Sequence, residues 1–411
     1  MTGFLSNDGW HAKRVVVIGA GCSGLACIKC FLDEGLEAVC FESSDDIGGL
    51  WRFKERPEPG RANIYHSVIV NSSKEMMAYS DFPPPADFPN NMHHSQVLQY
   101  LRLYAKHFDL LKHIHFQTTV CSVRQRSDFS YSGISTFQGR HFHSWEYCSA
   151  DGMQGKTVMV IAVDASRVAK QVYLSTRHGA WMVGRIGEGG MPADVILYSD
   201  PSVVDEVDVV VFATGYNYDF PFLPEDLRVK DGYRLSLYKH IFPPSLEKPS
   251  LAVVGFIHGL RAIIPLAEMQ ARWASRVFKG LTKLPSESIM LEDIQGTTKR
   301  MHQRFACSER NPLQVDYIPD LDDVAHEVGE KPQFFSLFLR DPGLGLRVLF
   351  GPCTPYQYRL CGPGQWAGAR QAIYTQWERV IRPFGTRKLP EIQPETKQRS
   401  PVYLTFASGQ T

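Results

Sequence analysis

A short apolar strand that runs into a glycine-rich turn constrains this chain more than any other feature of it. The segment Lys13–Ile18 is rich in β-branched residues and leads into Gly19-Ala20-Gly21-Cys22-Ser23-Gly24, a G-x-G-x-x-G pattern. An apolar helix pattern follows, and a second apolar run ends in Glu42, about 20 residues further on. This order predicts a βαβ unit over residues 12–43 that binds a dinucleotide.

The glycines of this turn have separate physical roles. Gly19 permits the tight connection from strand to helix, Gly21 lets the backbone approach a pyrophosphate, and Gly24 lets the helix lie close to the sheet. The helix N-terminus adds N–H donors and the positive end of its dipole. The residues between the glycines complete the predicted phosphate contacts: Ala20, Cys22 and Ser23.

The carboxylate of Glu42 indicates which dinucleotide this turn receives. It favours a free ribose diol and repels a 2′-phosphate, so the first site is predicted to hold FAD or NAD and not NADP. Gly48 and Gly49 permit a second close approach of backbone, and Leu50 and Trp51 can line a flat ring. The pattern therefore favours FAD.

Several later blocks of sequence carry a resemblance to a known family. Phe137, Gly139, His143 and Tyr147 fit an F-x-G-x-x-x-H-x-x-x-Y/W pattern, and this fingerprint resembles that of the flavin-containing monooxygenases. The other matching blocks are Val70–Met76, Ser80–Pro83, Phe212–Tyr216, Phe350–Tyr358 and Gly362–Trp366. The last two are similar to blocks of the animal, microsomal, dimethylaniline monooxygenase branch.

The resemblance implies an α/β fold with two Rossmann-like dinucleotide-binding domains. One is a discontinuous FAD-binding domain, formed by residues 1–135 and 208–411. The other is a shortened NADP-binding domain at residues 136–207. Both FAD and NADPH are therefore expected as cofactors.

The resemblance also implies site residues outside the glycine turn. Val70, Asn71 and Ser72 are expected at the flavin, where the Asn71 amide would act in catalysis by donating a hydrogen bond and holding the nicotinamide ribose. A simple turn asparagine is the alternative. Arg177 follows a strand-like run and is positioned to pair with the 2′-phosphate of NADP.

The chemistry implied by the resemblance is carried by the flavin. Reduced FAD adds dioxygen to form a C4a-hydroperoxide, which transfers one oxygen atom to a soft nucleophile, the nitrogen of an amine or the sulfur of a thioether. Small-molecule amines or sulfides and dioxygen are the implied partners. The sequence does not choose among amines, sulfides and ketones, and it does not predict the oligomeric state.

The middle of the chain departs from the family. The strand-like run Lys156–Ile161 should be followed by a second glycine turn for NADPH, but Ala162–Arg167 follows instead. The next strand-like run begins at Val172, which leaves too few residues for the usual parallel crossover helix. The stretches 132–134 and 191–209 are also short. The chain is therefore predicted to be an internally shortened variant.

Three functions remain open at this point. The first is an NADPH-dependent flavin monooxygenase, and the second is a flavoprotein that keeps FAD but is impaired in catalysis because it has lost the NADPH turn. The third is a flavin disulfide reductase, which is disfavoured because Cys27-Ile28-Lys29-Cys30 lies inside the first predicted helix.

Composition and charge exclude other classes of protein. The 411 residues are 44% hydrophobic and carry a net charge of +1, so no strong field would recruit nucleic acid. Nine cysteines without framework spacing indicate reduced thiols. The pairs His113/His115 and His141/His143 lack an obvious third ligand, so no metal site is expected.

Membrane attachment is expected to be weak or peripheral. The resemblance implies the endoplasmic reticulum membrane, but no signal sequence, spanning segment or C-terminal anchor is visible in the sequence. The best candidate span, Leu251–Met269, contains His258, Arg261 and Pro265 and fails the requirement for about 20 apolar residues.

Overall fold

The structure, a computed structural model, describes both ends of the chain more fully than its middle. The described residues are 14–56, 58, 61–123, 157–159, 171–175, 209–210, 220–224, 227, 236–246, 248–259, 262–304, 313–386 and 406–407. Contacts divide the chain into two units. Unit 1 comprises Met1–Trp51, Ser72–Ser127 and Asn217–Arg387, and unit 2 comprises Arg52–Asn71, Asp128–Tyr216 and Lys388–Thr411.

Helices dominate the described part of unit 1, and short strands account for its sheets. The helices are α1 (Cys22–Asp33), α2 (His94–His107), α3 (Ile264–Phe278), α4 (Glu287–Arg304), α5 (Tyr317–Val328), α6 (Phe334–Arg340), α7 (Pro342–Phe350) and α8 (Ala369–Thr386). The strands among the described residues of both units are β1 (Arg14–Ile18), β2 (Glu37–Phe41), β3 (Ile114–His115), β4 (Thr157–Met159), β5 (Gln171–Ser175), β6 (Val209–Val210), β7 (His258–Gly259), β8 (Gln314–Val315) and β9 (Phe406–Ala407).

The first βαβ unit forms as the glycine pattern predicts. Strands β1, β2 and β3 pair in parallel in the order β1-β2-β3, with Val16 opposite Val39. Helix α1 connects β1 to β2 and buries Leu25, Ile28 and Phe31. The predicted α/β fold class is confirmed for this part of unit 1.

One face of this sheet remains open. Val16 is 57% exposed and Ile18 is 40% exposed, although both are large and apolar. Parallel sheets are ordinarily covered on both faces. Among the described residues, this face of β1 is therefore accessible to solvent.

Helix α3 passes through the core of unit 1. Pro265 lies in its first turn, Trp273 is fully buried in its middle, and Gly280 follows it with a φ of +77°. Proline costs nothing where no intrahelical N–H bond is made, and glycine adopts the left-handed conformation readily. The positions of Pro265 and Gly280 in the sequence therefore account for where this helix starts and stops.

The start of α2 differs from the sequence prediction. The usual preference for serine at an N-cap predicts that α2 starts at Ser95, but the N-cap is His93, whose backbone N–H donates to Gln96 Oε1 at 3.0 Å. The His93 ring in turn accepts from the Ser95 N–H at 3.4 Å. Because a histidine can accept through Nδ1 as a serine does through its hydroxyl, the helix begins earlier than the residue preference suggests.

Unit 2 contains a parallel sheet of the order β6-β4-β5-β9. Val158 in β4 pairs with Val172 in β5 and with Val209 in β6. The strand predicted at Lys156–Ile161 is therefore present as Thr157–Met159. Only residues 160–170 connect it to β5, and these lie outside the described residues.

The described residues contain neither a membrane-spanning helix nor a cluster of potential metal ligands. No described helix is long and apolar enough to cross a bilayer. No group of three potential metal-ligating side chains occurs among the described residues, where His113 and His115 lie, while His141 and His143 lie outside them.

Candidate dinucleotide site

The turn between β1 and α1 requires glycine at two positions for different reasons. Gly19 has a φ of +93°, and its N–H donates to Phe41 O at 2.9 Å, which fixes the turn to β2. A Cβ on Gly24 would lie 1.9 Å from Gly19 O, so any side chain there would push the helix off the turn. The predicted roles of Gly19 and Gly24 match this geometry.

Gly21 and Gly49 bring two loops together through their backbones. A Cβ on Gly21 would lie 3.8 Å from Gly49 Cα, and the Gly48 N–H donates to Ala20 O at 3.0 Å. Gly48 and Gly49 have φ values of +112° and +52°. The result is a cradle of bare backbone at the start of α1, with Gly21 as N-cap and no side chain of the described residues capping the helix.

Glu42 ties the end of β2 to this cradle. It is buried, and its Oε2 accepts from the Ala20 N–H at 2.7 Å, while its Oε1 accepts from the Ser44 N–H at 2.8 Å and the Ser44 hydroxyl at 2.7 Å. Each of these is a charge-assisted hydrogen bond. The Glu42 carboxylate is therefore held beside the phosphate turn, which is where a dinucleotide-binding fold places the acid that accepts a hydrogen bond from a ribose hydroxyl.

Two neighbours of the cradle were missed by the sequence analysis. Gly255 has a φ of +79°, and a Cβ there would lie 2.1 Å from Ser23 Oγ. The Tyr79 hydroxyl donates to Cys22 O at 2.8 Å. A glycine at the end of the apolar run Leu251–Val254 was the signal for Gly255, whereas no local pattern distinguishes Tyr79.

The remaining predicted site residues are placed as follows. Leu50 is 45% exposed and Trp51 is half-buried, within a 3₁₀ turn over Gly49–Trp51. Val70 is buried and Asn71 exposed at the end of a stretch of unit 2, and Ser72 begins a stretch of unit 1. Arg177 lies outside the described residues. Contacts of Val70, Asn71, Ser72 and Arg177 with a cofactor stay predictions.

The residues at the cradle fit a dinucleotide. A pyrophosphate needs close backbone approach and helix N-terminal donors, and the Gly21 and Gly49 backbones supply the first and α1 the second. A side chain on either glycine would occupy space that the ligand needs. This geometry is compatible with the FAD site predicted at Gly19–Gly24, Glu42 and Gly49–Trp51, and FAD binding there stays a prediction.

The CxxC pair of α1 is part of the packing and not of a redox site. Cys27 and Cys30 are buried free thiols on the helix, as the sequence analysis expected. Burial raises the pKa of Cys27 to about 12, with Cys40 adding to it, and burial also raises the pKa of Cys30. Both sulfurs therefore stay protonated at neutral pH and are poor nucleophiles.

These pKa values predict the pattern of thiol modification. At pH 8 we expect iodoacetamide to alkylate the exposed Cys121 in the folded protein and to leave Cys27, Cys30 and Cys40 unmodified. Peptide mass spectrometry of the native protein measures this, with urea-unfolded protein as the control in which all of them react. Equal rates at Cys27 and Cys121 in the native state would contradict the packing described above.

A cluster of buried charges lies elsewhere in unit 1 and was not predicted. Arg359 Nη2 lies 2.8 Å from Glu268 Oε1 and 2.9 Å from Asp81 Oδ2, and Lys29 Nζ lies 2.6 Å from the same Asp81 oxygen. Ser80 joins them, because its N–H donates to Glu268 Oε2 at 2.7 Å and its hydroxyl oxygen accepts from Arg359 Nε at 2.6 Å. We call these five residues the buried charge cluster.

A second buried ion pair adjoins the cluster. Arg272 pairs with Glu330 and donates to Tyr358 O at 2.9 Å, and Gly364 N–H donates to Glu330 Oε1 at 2.7 Å. The blocks Ser80–Pro83, Phe350–Tyr358 and Gly362–Trp366, which carried part of the family resemblance, therefore contribute to or adjoin one polar core.

Two charged residues of the block Val70–Met76, Lys74 and Glu75, are also buried and hydrogen-bonded. Glu75 is buried, and its Oε2 accepts from the Tyr356 hydroxyl at 2.8 Å and from Arg379 Nη2 at 2.8 Å. Lys74, also buried, donates to the carbonyl oxygens of Ala86 and Phe88 at 2.8 and 2.7 Å. The charged residues after Asn71 thus hold unit 1 together.

Comparison with known proteins identifies the family. The family model described as flavin-binding monooxygenase-like matches residues 12–135, 130–199 and 196–404, which is nearly the whole chain. The chain belongs to the flavin-containing monooxygenase family. It is accordingly a flavin-dependent oxidoreductase by family, as the sequence blocks indicated.

Individual relatives agree with this assignment. The chain is 42% identical to flavin-containing monooxygenase 5 of Rattus norvegicus, over 91% of this chain and 94% of the relative. It is 41% identical to dimethylaniline monooxygenase [N-oxide-forming] 2 of Mus musculus, over 92% and 94%. Among solved structures, S-allyl-L-cysteine S-oxygenase from Allium sativum shares the fold, with 23% identity, a TM-score of 0.65 and coverage of 89% and 99%.

The alignment with the rat flavin-containing monooxygenase is longer than the chain itself. It spans 500 positions, whereas this chain has 411 residues. The relative therefore carries segments that have no counterpart here. This flavin-containing monooxygenase is internally shorter than its relative.

Proposed function

We propose that this flavin-containing monooxygenase binds FAD in the cradle of Gly19–Gly24, Glu42 and Gly49–Trp51 and takes electrons from NADPH. Its reaction would transfer one oxygen atom from dioxygen to a soft nitrogen or sulfur nucleophile. The observation that carries the proposal is the approach of the Gly21 and Gly49 backbones at the N-terminus of α1, beside the fixed carboxylate of Glu42. When bound, the flavin supplies the oxygen-transfer chemistry.

The chain's own groups would bind, orient and shield. The backbone at Gly19–Gly24 would hold the pyrophosphate, and Glu42 would accept a hydrogen bond from a ribose hydroxyl. Leu50 and Trp51 would exclude water from one side of the site. Asn71 would donate a hydrogen bond near the flavin and hold the nicotinamide ribose. An endoplasmic reticulum location, typical of the branch that the sequence resembles, extends to this chain as part of the proposal.

A second candidate function is a flavoprotein that binds FAD but is impaired in reduction by NADPH. Two observations favour it: the missing glycines at Ala162–Arg167 and the segments absent from this chain in the alignment. Side chains with Cβ atoms do not readily reproduce the backbone approach that a pyrophosphate requires. Arg177 would then have no anchored phosphate to hold.

Anaerobic reduction of the bound flavin separates the two candidates. We expect the purified chain to carry FAD that dithionite reduces fully, while NADPH reduces it at least about 100-fold less efficiently than in a full-length relative, since two lost charge-assisted hydrogen bonds are worth about 1.5–3 kcal/mol each. Stopped-flow absorbance of the flavin measures both rates. Insertion of a Gly-x-Gly-x-Ser-Gly turn with its helix after Ile161 is expected to restore part of the NADPH rate.

Two results would contradict parts of this proposal. Rapid reduction by NADPH with a micromolar Michaelis constant would leave the full monooxygenase function and remove the second candidate. A folded but colourless protein that takes up no added FAD would refute the cradle as a flavin site, and with it both candidates.

A further inference from the structure

The helices α6 and α7 form a hairpin whose outward side is apolar. Phe335 is 80% exposed and Phe350 is 79% exposed, which is far more than aromatic side chains of a soluble protein usually show. The large apolar side chains exposed on this hairpin are Phe334, Phe335, Phe338, Leu339, Leu346, Leu349 and Phe350. We call this set the α6–α7 apolar face, because this many large apolar side chains exposed on two adjoining helices indicate a contact surface.

Helical spacing places these side chains on one side of each helix. Positions 334, 335, 338 and 339 of α6 share one face, and so do positions 346, 349 and 350 of α7. The opposite side of α7 is the core side, where Leu344 and Val348 pack in a cluster with Tyr356 and Ile373. Packing against the core therefore buries one apolar side of α7 and leaves the other apolar side exposed.

The hairpin is held in a fixed shape. Asp341 ends α6 and caps α7, because its Oδ1 accepts from the Leu344 N–H at 3.0 Å while its Oδ2 accepts from Arg370 Nε at 2.8 Å. A Cβ on Gly345 would lie 3.0 Å from Phe338 Cα, so the two helices are in close contact. The apolar face is therefore presented by a preformed element.

The charges within the α6–α7 hairpin itself are mainly positive. The segment Phe334–Phe350 contains Arg340 and Arg347, and its single acid, Asp341, is bonded to Arg370 of α8. The Arg347 guanidinium lies 4.7 Å above the Tyr374 ring, at the side of the hairpin. Arginines that flank exposed Phe and Leu side chains match the headgroup region of an anionic bilayer.

We propose that the α6–α7 apolar face is a membrane-contact surface that inserts its Phe and Leu side chains into the interface of a bilayer containing anionic lipid. A second copy of the chain is a poorer occupant, because the two helices comprise only 7 and 9 residues, whereas a stable protein interface uses about 20–30 residues a side. The side chains also project outward and line neither of two described cavities of unit 1, of about 400 and 500 Å³.

Vesicle binding by the full chain tests the proposal. We expect the protein to float with vesicles of phosphatidylcholine and phosphatidylserine, and the triple variant Phe335→Ser, Leu339→Ser, Phe350→Ser to bind about 100-fold more weakly. A matched control replaces three other exposed apolar residues of unit 1, Leu111→Ser, Leu281→Ser and Ile289→Ser, and should bind within about twofold of the parent. Circular dichroism and equal FAD content check that each variant is folded.

The arginines give a second, independent measurement. Replacing Arg340 and Arg347 with glutamine should lower binding to the anionic vesicles about tenfold and leave binding to pure phosphatidylcholine unchanged. The proposal is overturned if the parent does not bind vesicles, or if the triple variant binds as well as the parent. A triple variant that turns a dimeric parent into a monomer without changing vesicle binding would assign the face to a second copy instead.

Discussion

Replacing Arg359 with methionine is expected to destabilise the protein by about 3–5 kcal/mol, because the change leaves buried carboxylates without their main counter-charge. Arg359 contacts both Glu268 and Asp81, and all three side chains are buried. Urea unfolding monitored by tryptophan fluorescence measures the change. As a control, Lys112→Ala removes an exposed ion pair with Asp109 and should cost less than about 1 kcal/mol.

The pH dependence of this variant gives a sharper test. Burial alone would raise the pKa of Asp81, but Arg359 and Lys29 outweigh it and hold the pKa below its ordinary value. A lowered carboxyl pKa stabilises the folded state above the unfolded-state pKa, and this stabilisation is lost as the pH falls through the folded-state pKa. The difference between the parent and Arg359→Met should therefore shrink in acid. A constant difference between pH 7 and pH 3 would contradict the electrostatic origin.

Replacement of the whole pair separates charge from packing. The double variant Arg359→Met, Glu268→Met removes one cation and one anion together, and it should cost less than the sum of the two single variants. Additive costs would mean that the two side chains contribute only through packing.

Gly24→Ala should abolish FAD binding and destabilise the folded state by at least about 2 kcal/mol, because overpacking against backbone cannot relax by a side-chain movement. The new Cβ would lie 1.9 Å from Gly19 O. The matched variant is Gly21→Ala, whose Cβ makes only an ordinary contact with Gly49 Cα at 3.8 Å. This second variant should fold normally and still lose most of its flavin, since its methyl group occupies the pyrophosphate contact.

Thermal unfolding and the flavin absorbance of the two purified variants check both statements. Gly21→Ala with full flavin content would refute the cradle as the pyrophosphate site. Gly24→Ala with unchanged stability would show that the turn relaxes in a way that the structure does not indicate.

Local sequence patterns predicted the parts of the fold that depend on local conformation. The turn at Gly19 and the helix between Pro265 and Gly280 were predictable, because glycine and proline restrict or permit particular backbone angles. The start of α2 was not, since His93 and Ser95 can both accept a backbone N–H and only the folded loop decides between them.

The buried charge cluster could not be read from the sequence for a different reason. Ser80 and Arg359 are 279 residues apart, and Ser80 and Glu268 are 188 apart. Taken singly, Asp81 and Arg359 look like ordinary surface charges, and their burial follows only from their mutual pairing. The resemblance identified the block Ser80–Pro83, which contains Asp81, but Arg359 lies one residue beyond the block Phe350–Tyr358 and the resemblance implied no pairing between them.

The cluster also bears on how the nascent chain folds. Lys29 and Asp81 leave the ribosome early, but the guanidinium of Arg359, which contacts Asp81 and Glu268, is synthesised almost at the end. Until then the charges of the N-terminal segment cannot be buried without a large desolvation cost. We therefore expect this segment to stay incompletely folded, and accessible to chaperones, for most of translation. FAD bound early at the glycine turn would stabilise this incomplete N-terminal segment until Arg359 is synthesised.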